Sequence, residues 1–166
     1  KNITKKKTFP NLNFKNFPLL MGILNITPDS FSDGGKFMKN NIANYHAKKL
    51  ISDGAQIIDV GGESTRPGAK DLDSKIEWKR IRKKLRYLNK KNIFLSLDTR
   101  KSLIMKKSLN YGVNLINDVS SFNYDNETLD FLKKSKIPFI IHHAQGSPST
   151  MQLNPKYKNV LLDIYD

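Results

Sequence analysis

The sequence predicts an α/β protein, a TIM (β/α)8 barrel with about the first five strands present in this chain. Three observations carry that expectation. Short apolar runs recur along the chain, helical stretches alternate with them, and each run ends in hydrogen-bonding side chains. Strands alternating with helices build βαβ units and a parallel sheet. In a barrel of such units the C-terminal strand ends converge on one face, which holds the active site, whereas a doubly wound open sheet needs polar tips only near its switch point. Polar tips on five consecutive strands favour the barrel over the open sheet.

Residues 1–18 are polar and basic with Phe9, Phe14 and Phe17 interspersed, and read as an N-terminal extension or hairpin ahead of a barrel domain at 19–166. The apolar runs at 19–24, 56–60, 93–97, 113–116 and 138–141 each have the length of a fully buried strand. Helices are expected at about 41–52, where Ala43, Ala47, Leu50 and Ile51 are apolar, and at 74–88, 101–110 and 126–134. Gly54 and Gly112 follow helical segments as C-terminal caps, and Asp73 or Ser74 caps the next helix start.

The 166 residues include 38% hydrophobic side chains with 9 Phe and 6 Tyr, enough for a real core. The absence of cysteine excludes a disulfide framework, thiolate metal sites and a Cys nucleophile. No apolar run approaches the roughly 20 residues of a membrane helix, and KNITKKK is followed by no signal-peptide core, so no membrane partner and a cytoplasmic location are expected. The net charge of +14 invites a nucleic-acid reading. However, 24 of the 29 basic residues are Lys and only 5 are Arg, the usual base-edge and phosphate-fork residue. Lysine pairs at 48–49, 83–84, 106–107 and 133–134 fall where helix surfaces should be. A solvated exterior is expected rather than a nucleic-acid groove; a basic nucleic-acid-binding domain is the alternative, marked by binding that falls steeply with salt.

The polar strand ends carry the chemistry. MGILNITPDSFSDGG, residues 21–35, runs from a strand into a loop long enough to be a lid or binding loop, or a turn-rich connection whose Asp and Ser residues only cap helices. Asn25 at its base offers a carbonyl oxygen to a hard cation such as Mg²⁺, or an amide N–H to a phosphate oxygen. In IIDVGGESTRPGA, residues 57–69, two glycines allow close backbone approach and Arg66 can fork two phosphate oxygens and offset charge on a departing diphosphate; the bland reading is a tight turn with an exposed Arg. Without the P-loop Lys, nucleotide hydrolysis is not indicated. Asp59 is expected to be buried, with Glu63 as a possible hydrogen-bonded partner. Asp98 and Asn117 end neighbouring strands, and a carboxylate beside an amide suits a planar heterocycle rich in ring N–H and amino groups, unless both are strand-end caps. Asp98 and Asp118 do not read as a glycosidase pair, since no aromatic sugar platform is evident. His142 and His143 are adjacent on a strand and point to opposite faces, so one His facing the site is expected rather than two ligands on one ion.

Taken together, MGILNITPDSFSDGG, GAQIIDVGGESTRPGA, SLDTRK and INDVSS resemble the dihydropteroate synthase family from about Leu19 to the chain end. HHAQGSPSTMQLNP is similar to that family's next motif, with His142 and Ala144 where it usually has Met, which removes the packing contact Met would make with a pterin. The resemblance implies a transferase of folate biosynthesis in which hydroxymethyl-dihydropterin diphosphate loses diphosphate to the amine of para-aminobenzoate. On this sequence it implies Asn25 at the diphosphate or its Mg²⁺, Thr65 and Arg66 near the diphosphate, and Asp98 and Asn117 on the pterin ring. Phe31 and Asp33 on the first loop, with Pro67 on the second, would close over the aminobenzoate, and Arg66 and Asp33 are the implied catalytic residues. Such a family member would be a homodimer when full length. The family's remaining strands, with a further Asp, a Lys-containing loop and an Arg-x-His motif, do not follow Asp166, so this chain alone is expected to be inactive. A methyltransferase barrel that binds a methylated folate is the alternative within pterin chemistry.

Overall fold

Every apolar run anticipated from the sequence becomes a strand. The computed structural model describes residues 18–27, 36–64, 71–143 and 154–165. In chain order the elements are β1 Met21–Asn25, α1 Lys36–Ser52, β2 Ile57–Gly61, α2 Ser74–Asn89, β3 Phe94–Asp98, α3 Ser102–Ser108, β4 Val113–Asp118, α4 Thr128–Ser135, β5 Phe139–Ile141 and α5 Val160–Tyr165. Nearly all of the expected extension at 1–18 lies outside the described residues.

The strands pair in parallel in the order β1-β2-β3-β4-β5. Sequential order is what a (β/α) barrel requires, while a doubly wound sheet reverses direction at its switch point. Side-chain alternation shows that α1 to α4 share one face. Leu24, Ile58, Val60, Leu95, Leu97 and Ile116 have no exposed surface and form one cluster with Ala47, Ile81, Leu85, Ile104, Met105 and Phe131 from those helices. The opposite face carries a smaller cluster of Ile57, Phe94 and Leu115 with Met21 and Ile140 against it. One face is thus sealed by helices, and the other is the barrel's inner wall.

The helices form where the sequence repeats apolar residues at helical spacing. In α2 the buried positions are Glu77, Ile81, Lys84, Leu85 and Leu88, a single stripe. Asp73, not Ser74, is the N-cap, its carboxylate accepting the Lys75 N–H at 2.7 Å. Two members of that stripe are charged. Lys84, expected on a solvated surface, is buried because its Nζ reaches Asn44 Oδ1 at 2.8 Å across to α1; the other lysines of the four pairs are exposed. Helix α1 begins before the expected 41, and α5 was not anticipated.

The two predicted C-terminal glycines have left-handed backbone, with φ of 103° at Gly54 and 79° at Gly112. Gly112 also has no room, since an added Cβ would lie 2.2 Å from Asn89 Oδ1. We expect Gly112→Ala to destabilise the fold by about 1–3 kcal/mol through backbone strain, with displacement of Asn89 adding to it. Urea denaturation measures this, and an unchanged midpoint would contradict it.

Candidate functional site at the inner strand ends

The register lines up the polar strand ends. Asn25 of β1 pairs with Gly61 of β2, Gly61 with Asp98 of β3, and Asp98 with Asn117 of β4, one row across four strands. All three side chains singled out from the described strands therefore stand together on the inner face, above the Ile57, Phe94 and Leu115 cluster. Asn114 helps set this alignment: the register shifts between Leu95 and Ser96, where Asn114 Oδ1 accepts the Leu95 N–H at 3.0 Å. Gly61 keeps the row's middle open. A Cβ there would meet Asn25 Oδ1 and Asp98 Oδ2, each at 3.2 Å. Gly62, expected to admit a ligand, instead admits α2, since its Cβ would lie 2.7 Å from Ile81.

One step below the row, Asp59 on β2 is 4% exposed. Its Oδ2 accepts a hydrogen bond from Asn117 Nδ2 at 2.9 Å. Among the described residues Asp59 Oδ1 and Ser96 Oγ lie buried side by side, outside hydrogen-bond geometry, with the Ser96 hydroxyl near enough to favour the Asp59 carboxylate. Buried polar atoms with unfilled hydrogen-bonding capacity on an inner wall are positions where a ligand's polar groups would be rewarded. On the other side of Asn117, His142 lies just past β5 with Nε2 2.6 Å from Asn117 Oδ1. His143 points elsewhere, its Nε2 3.1 Å from the Tyr157 hydroxyl. The expectation that one His faces the site is met, and it is His142.

The electrostatics follow from crowding of carboxylates. Burial pushes the Asp98 carboxyl up, and Asp59, Glu77, Asp118 and Glu63 push in the same direction, to about 7. Burial also raises Asp59, against the hydroxyl of Ser96, the amide of Asn117 and the charge of His142. Asp118 belongs to the helix side: it is fully buried, with Oδ1 accepting the Ser120 N–H and hydroxyl at 2.7 Å each. Alternation on β4 thus separates it from Asp98, which fits the rejection of a paired-carboxylate glycosidase.

Glu63 does not pair with Asp59. It anchors a buried ionic cluster beside the site, with Arg100 Nη2 at 3.1 Å and Lys101 Nζ at 2.9 Å. Lys101 also reaches Glu77 at 2.7 Å, and Glu77 accepts the Thr99 hydroxyl at 2.5 Å. Glu63 further accepts the Leu72 N–H at 2.7 Å, while Arg100 holds Asp71 at 3.1 Å and stacks 4.1 Å over the Tyr124 ring. Residues 63 and 71–72, on either side of 65–70, are thereby tied together. Burial works against the Arg100 and Lys101 cations, but their carboxylate partners outweigh it and raise both pKa values.

Phe31 and Asp33 lie within 28–35, and Thr65, Arg66 and Pro67 within 65–70, outside the described residues. The sequence reading missed the inner position of Asp59 and the whole Arg100–Lys101 cluster. Period-two counting from Ile57 puts Asp59 on the same wall; for the cluster no local signal exists, since its charges resemble surface charges. For Mg²⁺ the nearby hard donors are Asn25 Oδ1 and Asp98 Oδ2; among the described residues no group of three His, Cys, Asp or Glu could hold a metal by itself.

Known proteins carry the same architecture. A crystal structure of dihydropteroate synthase from Yersinia pestis with a sulfonamide drug complex superposes with a TM-score of 0.79 at 40% identity, over 89% of this chain and 54% of that one. The Burkholderia cenocepacia dihydropteroate synthase complexed with 7,8-dihydropteroate gives 0.76 at 35% identity, over 92% and 51%. Dihydropteroate synthase of Neisseria meningitidis serogroup B is 42% identical over 149 residues, covering 89% of this chain and 52% of its own length. The chain spans about half the length of the curated relatives it matches. A family model described as pterin binding enzyme matches residues 21–165, from the first residue of β1 to the last of α5. The row Asn25, Asp98 and Asn117 lies within that match, and the chain belongs to the pterin-binding enzyme family.

Proposed function

We propose that the whole protein is a dihydropteroate synthase, joining hydroxymethyl-dihydropterin diphosphate to para-aminobenzoate with release of diphosphate. The observation that carries this reading is the inner-face row with Asp59 one step below it: the Asp98 and Asp59 carboxylates can accept while Asn117 both donates and accepts. A pterin ring edge offers the matching N–H donors and ring acceptors. The aminobenzoate nitrogen forms a bond to the pterin methylene carbon as the bond to diphosphate oxygen breaks, and the nitrogen gives up a proton. No protein nucleophile is needed, only orientation, water exclusion and charge stabilisation on the leaving group.

Asp98 and Asn117 hold the pterin, and Asn25 stands at the end of the row facing the diphosphate. Asn25 Oδ1 is the side-chain oxygen we assign to Mg²⁺; such an ion takes few protein ligands besides phosphate oxygens and waters, and it neutralises diphosphate charge. Arg66 and Thr65 are proposed to stabilise the departing diphosphate, and Asp33, Phe31 and Pro67 to enclose the aminobenzoate, on the motifs that contain them. The reading carries with it a cytoplasmic location and a homodimer of the whole protein; among the described residues no helix is long and apolar enough to cross a membrane.

Calorimetric titration with the pterin diphosphate tests the site. We expect Asn117→Ala to weaken binding by about ten- to a hundredfold, the loss of one or two hydrogen bonds to a buried ligand. Affinity indifferent to Asn117 and Asp98 would sink the reading. Competition by inorganic diphosphate separates a synthase from a methyltransferase barrel, which should not respond. We expect no dihydropteroate from the 166-residue chain alone, measured with both substrates and Mg²⁺.

A further inference from the structure

We infer that His142 is a positioning residue for heterocycle recognition: its Nε2–H fixes the Asn117 amide so that Asn117 presents one defined donor and acceptor edge to the pterin. The inference rests on the pterin reading above and adds a residue to it.

The two ends of the Asn117 amide are chemically distinct. Asn117 Nδ2 lies 2.9 Å from Asp59 Oδ2, an acceptor. Turning the amide over would bring two oxygens together there, so Nδ2 belongs on the Asp59 side and Oδ1 on the His142 side. The group 2.6 Å from Oδ1 must then donate, which assigns a proton to His142 Nε2. A directional chain results, from the imidazole N–H to the amide oxygen and from the amide N–H to the carboxylate. Each end locks the other, and such chains polarise along their length. Asn117 keeps one N–H and one oxygen lone pair for a ligand, in a fixed orientation.

The backbone of His142 is held as well. The Ser121 hydroxyl donates to the His142 carbonyl. Ser121 and the next residue, Phe122, both have left-handed backbone, at φ of 53° and 66°. Neither is glycine, and strained backbone of this kind persists where the surroundings over-determine it, often at functional sites. The Phe122 ring meets the Phe139 ring of β5 edge-on with centroids 5.2 Å apart, so the loop after β4 is bound to the strand that delivers His142. A side chain held at its backbone, whose hydrogen bond among the described residues goes to a ligand-binding amide, has positioning as its use.

The test uses the protein in two states. Without ligand, the Asn117 side-chain NH2 protons are followed by ¹⁵N NMR. His142→Ala removes the donor and adds no packing group, and the two Asn117 amide protons are expected to exchange faster and draw together in shift, while His142→Gln, which keeps an N–H, preserves the wild-type pattern. With pterin diphosphate, His142→Ala is expected to raise Kd about tenfold and His142→Gln less than threefold. In the Asn117→Ala background His142→Ala is expected to add nothing, because the effect runs through the Asn117 amide. Additive losses would show direct contact or general destabilisation and overturn the inference. So would an unchanged Asn117 amide signal in His142→Ala. If the wild-type protein shows the locked amide but binds no pterin, the functional reading fails and the inference fails with it. If pterin binds normally to His142→Ala, the inference alone fails.

Discussion

Replacing Lys101 with Met lowers the stability of the protein by about 3–5 kcal/mol, the cost of leaving a buried charge without its partner. The reason is the company it keeps. Its Nζ bonds Glu63 Oε1 and Glu77 Oε2, whose side chains are 4% and 0% exposed, and its own is 6% exposed. Glu63 would retain Arg100 and the Leu72 N–H, but Glu77, among the described residues, would keep the Thr99 hydroxyl without a cation. At 0% exposure that carboxylate is left uncompensated. Neutralising it should recover much of the loss, so Lys101→Met with Glu77→Gln is expected to be more stable than Lys101→Met alone. Urea denaturation of the single and double variants reads this coupling. A single variant within about 1 kcal/mol of wild type would show that the cluster is solvated, as exposed ion pairs are. Lys49 and Asp53 supply that contrast within the same fold, paired at 2.8 Å but with both side chains more than half exposed.

That cluster also marks where sequence reading stopped. Glu63 stands in a motif whose glycines, hydroxyls and Arg66 drew attention to phosphate chemistry, Arg100 and Lys101 follow Asp98 in SLDTRK, and Glu77 lies in a helix dense with Lys and Arg. Nothing local distinguishes a buried Lys101 from an exposed Lys106, because the distinction is made by partners 24 and 38 positions away. Lys84 was hidden the same way, since its partner Asn44 belongs to another helix. The strands were legible for the opposite reason. Burial on both faces, complete along β2 and nearly so along β3, demands near-continuous apolar runs, which a chain shows locally, and a polar residue ending such a run lies at the strand's tip. Asn25, Asp98 and Asn117 satisfied that rule, and parallel register then placed them in one row. Asp59 breaks the run IIDVG from within, so it read as a buried structural residue. It became part of the site through Asn117, which sits 58 positions along the chain.

The same row yields the second large effect, a pH dependence of opposite sign for folding and for binding. In the unfolded chain Asp98 titrates near 3.8, and in the fold near 7. The folded state therefore binds the proton more tightly, and stability falls as pH rises between those values. The contribution is fully present below 3.8 and lost by the time pH has passed 7. At pH 8 wild type carries an ionised carboxylate crowded by Asp59, Glu77, Asp118 and Glu63, whereas Asp98→Asn does not. The variant should then be the more stable protein by about 2–4 kcal/mol, a shift of roughly three units discounted for partial exposure. Near pH 4 the two should be nearly equal. Pterin binding runs the other way, because an N–H donor is accepted best by the ionised carboxylate. Ionisation around 7 makes the binding-competent fraction rise about tenfold from pH 6 to pH 8, so Kd should fall about tenfold over that interval. In Asp98→Asn it should be weak and flat. Denaturation and calorimetry across pH, with a pterin analogue that does not itself titrate in the range, measure both slopes. If the wild-type stability rises with pH through 5–7, or if Asp98→Asn keeps the wild-type slope in Kd, the carboxylate is not the titrating group. If both slopes appear with opposite signs, Asp98 is a group the apo fold tolerates at a cost that its ligand relieves, as expected of a residue kept for recognition.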